Sequence, residues 1–556
     1  MMLLAIVVAP LVGALLALAA PRREHAQQIA LGAALVALVL TGACVIGLRD
    51  GAIAALALDL GGLGRAPLLL LDGLSAPWVV ATPLLALVVL AATPRAMLNR
   101  ENVIATLSTA AATEGVLLSR NVGLTALFWL LALVPGAVLV ARAHGAHGAK
   151  RSDGRPTSAV RRGRDAVAQR SDRSDRSHAR TYAVLAIGAS LPMIGGAILL
   201  ARAGLAAGLE APLDLDALST LELPLGAQAL PFALLLAAVA IRMGLFPFHA
   251  WLPPLAQRGP VGVVGLLVGV HTGVFLVARI VLPLLPDASA IAMPSVAIFA
   301  LVACLWGSVL AIVQNDLART IGFIACSKAG MLLVGMASLE PSSLHGALLQ
   351  SVGSGGAFVG VLMVIRSIDA RMGTRDVRKL GGLVTHMPRA SVTFFLLAAA
   401  TVGFPGSLGF IGEDLVVHGV LHAHPLVAGT LLLATALNGI TMFRAFCRAF
   451  LGRPATRPRT AGPPLVDDLV PRERLATSAL IVLLVAFGLV PAPLLASRQS
   501  HVDGITRSIP LVAPLRDGIP TTANGGRPTV TSPRSSIGRE PGGSSFRQDG
   551  VSAADR

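Results

Sequence analysis

The chain has 556 residues, of which 54% are apolar and only 13% charged, with a mean hydropathy of +0.75. Soluble globular domains carry about 25% charged residues, so this composition excludes a soluble fold and points to apolar blocks that cross a membrane. The formal charge of +16 does not indicate a nucleic-acid partner, because much of it lies in two polar stretches, 141–180 and 497–556, that have no face to present.

In chain order, hydropathy predicts spans near residues 2–20, 27–48, 74–93, 103–119, 121–141 and 181–202. Eight more follow near 229–248, 261–284, 289–313, 320–338, 344–366, 390–412, 425–445 and 475–496. A helix of about 20 residues crosses about 30 Å of hydrocarbon. Residues 1–496 therefore read as one all-α polytopic bundle of about fourteen helices. The first block lacks a basic start and a small-residue cleavage site, and Pro21, Arg22 and Arg23 follow it directly, so it reads as a retained helix. The insert 141–180, rich in Ser, Asp, Arg and Gly, and the Gly/Pro/Ser/Arg-rich tail 497–556 read as disordered.

Lys and Arg concentrate in cytoplasmic loops. The loops after odd-numbered spans carry Arg22 and Arg23, Arg95 and Arg100, eleven basic residues from Arg142 to Arg180, Arg319, a set from Arg366 to Arg389 and another from Arg444 to Arg474. The loop 203–228 has no Lys or Arg and holds Glu210, Asp214, Asp216 and Glu222. This alternation predicts a cell (inner) membrane protein with cytoplasmic basic loops and both termini outside. The basic insert is expected to serve topology and attraction to anionic lipid headgroups, the alternative being a dedicated partner-docking site.

Cys44, Cys304, Cys326 and Cys447 are scattered at no metal-ligand or redox spacing. There is no Walker loop and no GxGxxG between a strand and a helix. The expectation is a chain without a cofactor, metal or redox site of its own.

Charged side chains at membrane depth must find partners or line a wet path, and so are candidates for function. Arg242 lies inside the apolar stretch 232–248, and His271, Lys328 and Glu413 lie in or at the ends of other spans. Such a file of titratable groups points to movement of protons or cations. Next to Arg242 run Gly244, Phe246, Pro247, Phe248, His249, Ala250, Trp251, Leu252 and Pro253. Pro247 removes a backbone donor and breaks the helix, which is tolerated at depth only where the freed groups are buried in protein or face water. Taken alone, the string also fits the end of a span, with Trp251 at the interface and Arg242 snorkelling.

The string PFHAWLP (247–253), followed by GVFLVARI (273–280), resembles the proton-conducting membrane subunits of respiratory complex I, relatives of the multisubunit cation/proton antiporters and of energy-converting hydrogenase membrane arms. DGLSA (72–76), NDLART (315–320), DVRKLGGL (376–383) with Met387 and Pro388, and GFPGSLGFIGED (403–414) extend the resemblance from about residue 70 to 450, in the family's order. It implies two inverted five-helix repeats, each with a broken helix, the breaks falling here at Pro247 and at Pro405 and Gly406. It also implies that Arg242 stands where the family has Lys, and that Glu413 is the acidic or basic residue after the second break. His249 and Asp414 are accessory candidates.

This chain departs from the pattern at several points. Phe128 and Trp129 are followed by Leu130, where the family has Glu; Gln350 and Ser354 stand where it usually has His and Lys. Arg for Lys is not conservative, because guanidinium is effectively always charged and hardly releases a proton. His271, Lys328 and Glu114 can compensate, each also readable as a polar residue satisfied by a neighbouring helix.

The first expectation is an ion (proton)-translocating subunit of a complex I-like, antiporter-like or hydrogenase-like assembly. Protons or hydrated cations, H⁺ or Na⁺, would move along His271, Lys328 and Glu413 while Arg242 biases its neighbours. It would work beside other membrane subunits and a peripheral redox or substrate-capturing module. The alternatives are a membrane subunit of a proton-driven inorganic-carbon uptake system and a scaffold that has lost conduction, for which Leu130, Arg242 and Ser354 argue.

Overall fold

Hydrocarbon offers no water to a bare peptide group, so long apolar runs close their hydrogen bonds within helices. The computed structural model describes residues 1–48, 53–59, 65–94, 97, 99–149, 182, 187–452 and 468–509. Helices α1 (Met2–Ala19) and α2 (Arg23–Ile46) open the chain. Strands β1 (Ile53–Asp59) and β2 (Arg65–Leu71) form an antiparallel hairpin, with Ile53 opposite Leu71 and Asp59 opposite Arg65. Then come α3 (Ala76–Ala92), α4 (Arg100–Leu118), α5 (Val122–Ala149), α6 (Ile187–Ala206) and the short α7 (Leu215–Ser219). The hairpin departs from the sequence reading, which places no element between the second and third spans: its two apolar runs are too short to cross a bilayer, and only their pairing reveals them.

The centre of the chain is α8 (Leu225–Met243), α9 (Leu252–Arg258), α10 (Val261–Gly269), α11 (Thr272–Leu276), a π-helical turn at Val277–Val281, and α12 (Leu282–Leu284). Helices α13 (Pro286–Ile312), α14 (Leu317–Ala337), α15 (Pro341–Met372), α16 (Leu383–His386), α17 (Pro388–Thr401), α18 (Leu408–Leu421) and α19 (Pro425–Phe446) follow. The chain closes with α20 (Pro471–Leu489), α21 (Ala492–Ala496) and α22 (Gln499–Ser508).

Ten helices among the described residues are long and apolar enough to span a membrane. The predicted count of about fourteen is not reached by that measure: α3 is shorter, α4 and α20 carry more polar ends, and the twelfth predicted span is divided between α17 and α18. The apolar window of α14 is buried throughout and those of 261–284 and α15 to 94%, against 39% for α1 and 28% for α2. The interior is therefore built around α14, α15 and the 261–284 span, which are the segments carrying Lys328, Gln350 and His271.

Two sequence boundaries move. The helix α5 continues to Ala149, so residues 141–149 of the predicted insert are helical, while 150–180 lie outside the described residues. Residues 497–509, assigned from the sequence to a disordered tail, instead carry α22; Arg498 before it is fully buried, its guanidinium 5.0 Å from the centre of the Trp78 ring. Residues 510–556 lie outside the described residues.

Small residues bring the central helices together, as membrane packing favours. A Cβ on Gly355 of α15 would overlap the carbonyl of Gly269 in α10, whereas one on Gly356 would sit 3.4 Å from Leu484, an ordinary contact. Overpacking costs about 1–3 kcal/mol. Gly355→Ala is therefore expected to lower the melting temperature in detergent by several degrees and cut folded yield, while Gly356→Ala leaves both near wild type. Equal melting temperatures for the two variants would show that these backbones are not in contact.

Candidate functional site

The seventh predicted span is broken where the sequence places the break. Helix α8 ends at Gly244, whose φ of +68° suits glycine. The Phe246–Pro247 bond is cis, and a 3-10 turn at Phe248–Trp251 leads into α9. Trp251 Nε1 donates to the carbonyl of Ile241 at 2.9 Å, satisfying one acceptor freed by the break. The twelfth span breaks between α17 and α18, with Gly403 at φ +77° and Gly406 at φ +89° and the Ser407 hydroxyl accepting from Phe410 N.

At the second break stands the one direct pairing among the sequence candidates. Lys328 Nζ donates to Glu413 Oε2 at 2.7 Å, the side chains 3% and 8% exposed. Thr435 Oγ1 of α19 donates to Glu413 Oε1. A Cβ at Gly403 would overlap Glu413 Oε2, so the carboxylate lies against the glycine of the break. Beside Lys328, Ser327 Oγ accepts from Asn438 Nδ2 at 2.9 Å and lies 3.6 Å from Cys304 Sγ. Three helices, α14, α18 and α19, thus converge on one buried ion pair.

At the first break Arg242 is buried, its Nη1 donating to the Trp129 carbonyl at 3.0 Å and its guanidinium stacked 4.2 Å from the Trp129 ring centre. Its Nε and Nη2 have no hydrogen-bond partner among the described residues. Arg242 and His271 line a shared cavity with Met243, Thr272, Ala325 and Ala329. Ala325 and Ala329 flank Lys328 on α14, so the cavity reaches the helix that carries the ion pair. His271 breaks the eighth span in turn: it sits between α10 and α11 at φ +47°, with Nδ1 unpartnered among the described residues. That interruption lies between Gly269 and Gly273, and no proline announces it.

The remaining candidates lie apart. Glu114 is 1% exposed in α4 and neither carboxylate oxygen has a hydrogen-bond partner among the described residues, so it does not ion-pair with Arg242 here. His249 accepts from Trp306 Nε1 at 3.3 Å within an aromatic cluster of Phe246, Trp306 and Phe323. Asp414, next to Glu413 on α18, is exposed. Of the altered family positions, Leu130 is half-buried, Ser354 Oγ is committed to the Gln350 carbonyl at 2.7 Å, and both amide atoms of the fully buried Gln350 lack partners among the described residues.

Sequence reasoning missed Thr435 and Asn438, although two polar residues three apart in an apolar span were a usable signal. It also missed Tyr182, whose hydroxyl donates to Leu133 O at 3.3 Å. Other motifs prove to be clasps. NDLART and DVRKLGGL meet through Leu317 N to Arg375 O (3.1 Å) and Val377 N to Asn315 O (2.8 Å). Arg366, read from the sequence as a loop residue, is buried near the end of α15 and donates to the carbonyls of Ala256 (2.9 Å) and Gly259 (3.2 Å), capping α9. In DGLSA, Asp72 ion-pairs with Arg279; burial pushes the Asp72 carboxyl up, but Arg279 and the Ser75 amide together outweigh it and hold the group below its usual value.

Residues 167–438 match the family model described as NADH:quinone oxidoreductase/Mrp antiporter, TM. NADH-quinone oxidoreductase subunit M of Mycobacterium tuberculosis is 30% identical over 274 residues, 49% of this chain and 49% of that protein. The subunit M of Rickettsia bellii is 28% identical over 290 residues, 51% of this chain and 58% of that protein. The chain thus spans about half the length of the relatives it matches. In fold it is similar to a chain of respiratory complex I from Thermus thermophilus with bound NADH, with a TM-score of 0.77 and 24% identity, covering 92% of this chain and all of the other. A chain of the Mrp complex from a Dietzia species gives a TM-score of 0.74 at 20% identity, covering 91% and 98%. By sequence, residues 167–438 are thus similar to the NADH:quinone oxidoreductase/Mrp antiporter membrane family, and nearly the whole chain shares the multi-pass helical fold of those complex I and Mrp chains.

Proposed function

We propose that this chain is a proton-translocating membrane subunit of a multi-subunit assembly, conducting through the two broken-helix regions. The observation that carries this reading is the Lys328–Glu413 pair, buried at the second break and connected through α14 to the cavity of Arg242 and His271. A proton delivered to Glu413 leaves a neutral carboxyl, weakens the hold on Lys328, and lets the ammonium give up its own proton to water. Arg242 stays charged and acts as a fixed positive bias on the cavity. Sequence similarity to subunit M and fold similarity to chains of complex I and Mrp complexes support a role beside other membrane subunits. A peripheral redox or substrate-capturing module would supply the driving force. The basic loops support an inner-membrane orientation with both termini outside.

Removing one partner of a buried ion pair strands the other charge and costs about 3–5 kcal/mol, while replacing both by apolar residues is often neutral. In the complex reconstituted into liposomes, Glu413→Gln and Lys328→Met should each abolish proton flux. The double variant Lys328→Leu/Glu413→Leu should recover folded yield but not flux. Wild-type flux from the double variant would remove the pair from the path and leave it a structural contact.

For orientation, a cysteine placed at Glu222 should react with a membrane-impermeant maleimide in intact cells, and one placed at Lys379 only after permeabilisation. The reverse pattern would invert the topology.

A further inference from the structure

The exposed side of α18 is unlike the exposed sides of its neighbours. On α19, which packs beside α18, the outward residues include Leu432, Ile440 and Phe443, and on α17, the other half of the same broken span, they include Val392, Phe395 and Leu396, all apolar. In contrast, α18 turns Asp414, His418 and His422 outward, four residues apart and therefore in one line along the helix. The rings of His418 and His422 are 5.5 Å apart and nearly perpendicular. Asp414 is near the middle of α18, one residue from the buried Glu413, so this line runs from the depth of the ion pair to the helix end.

Acyl chains are a poor neighbour for such a line. Ionisable groups within membrane-spanning segments almost always face protein or a water-filled cavity, and a carboxylate that leaves water needs a cation or several donors. The apolar surfaces of α19 beside it and of α17 beyond the break suit lipid, so the polar line marks a place where lipid is excluded. We infer that this face of α18 is covered in the membrane by a transmembrane helix of a second, different subunit, which presents a Lys or Arg to Asp414. Charge complementarity selects that occupant: Leu432, Ile440 and Phe443 of the neighbouring α19 offer no cation, so a second copy docking through the same patch would set Asp414 against Asp414. The inference rests on the proposed role as one subunit of a larger membrane assembly, and it adds the contact by which a neighbour completes the polar seam beside Glu413.

The test uses the complete complex in liposomes, in a Cys447→Ala background. An environment-sensitive fluorophore is attached at His418→Cys and, separately, at Phe443→Cys, and quenching by brominated lipid is measured. The expected result is strong quenching at 443 and at least five-fold weaker quenching at 418. A photo-crosslinker at His418→Cys should capture a helix of a different subunit with a Lys or Arg within one turn of the crosslink. Asp414→Lys should then reduce recovery of that subunit at least ten-fold, with rescue by the opposite charge in the partner. Equal quenching at the two sites, a crosslink to a second copy of this chain, a captured helix without a basic residue, or unchanged recovery with Asp414→Lys would each overturn the inference. Proton flux measured in the same liposomes keeps the two readings apart: a protected 418 probe without flux removes conduction alone, and flux with a lipid-quenched 418 probe removes the interface alone.

Discussion

A lysine and a glutamate can stay charged in the middle of an apolar bundle only if each holds the other, and that constraint organises this protein. The attraction at about 4 Å is roughly 4 kcal/mol at an effective dielectric near 20, and desolvation of two ions consumes a comparable amount. The pair is therefore poised: any event that neutralises one member releases the other. Its surroundings fit that condition. Helix α14 is buried along its whole apolar window, a second hydrogen bond to Glu413 comes from the Thr435 hydroxyl, and the glycine at 403 lets the carboxylate approach the backbone.

The breaks and the charges belong together. An unbroken helix satisfies its own peptide groups and offers nothing to an ion, whereas a break frees carbonyls and amides and makes room for water. Here the freed groups are partly reclaimed, by Trp251 at the first break and by Ser407 at the second, so the interruptions are stable features of the fold. His271 adds a third interruption between them, placing an imidazole at the wall of the cavity that Arg242 also lines. The guanidinium, stacked on Trp129 and holding its carbonyl, is anchored as a fixed charge.

Departures from the family pattern do not produce a simple substitution of one relay group for another. Glu114 could replace the missing acid after Trp129 by composition, but it does not pair with Arg242. Ser354 cannot replace a lysine, since its hydroxyl is bonded within its own helix. The first half of the molecule is thus altered around Arg242, and the better-preserved chemistry lies around Lys328 and Glu413.

Much of this was legible in the residue order. Apolar blocks of bilayer length announce helices because hydrocarbon permits little else, the break at Pro247 follows from proline's missing donor and that at Pro405 and Gly406 from the family resemblance, and the ionisable candidates stand out because charge is costly at depth. Hydropathy could not say which of those candidates meet, because Lys328 and Glu413 are 85 positions apart and only the packing of α14 against α18 and α19 brings them into contact. The docking of α22 was hidden for the same reason, since Arg498 before it is buried against Trp78, far earlier in the chain; the hairpin was hidden because its two runs are too short to read as spans.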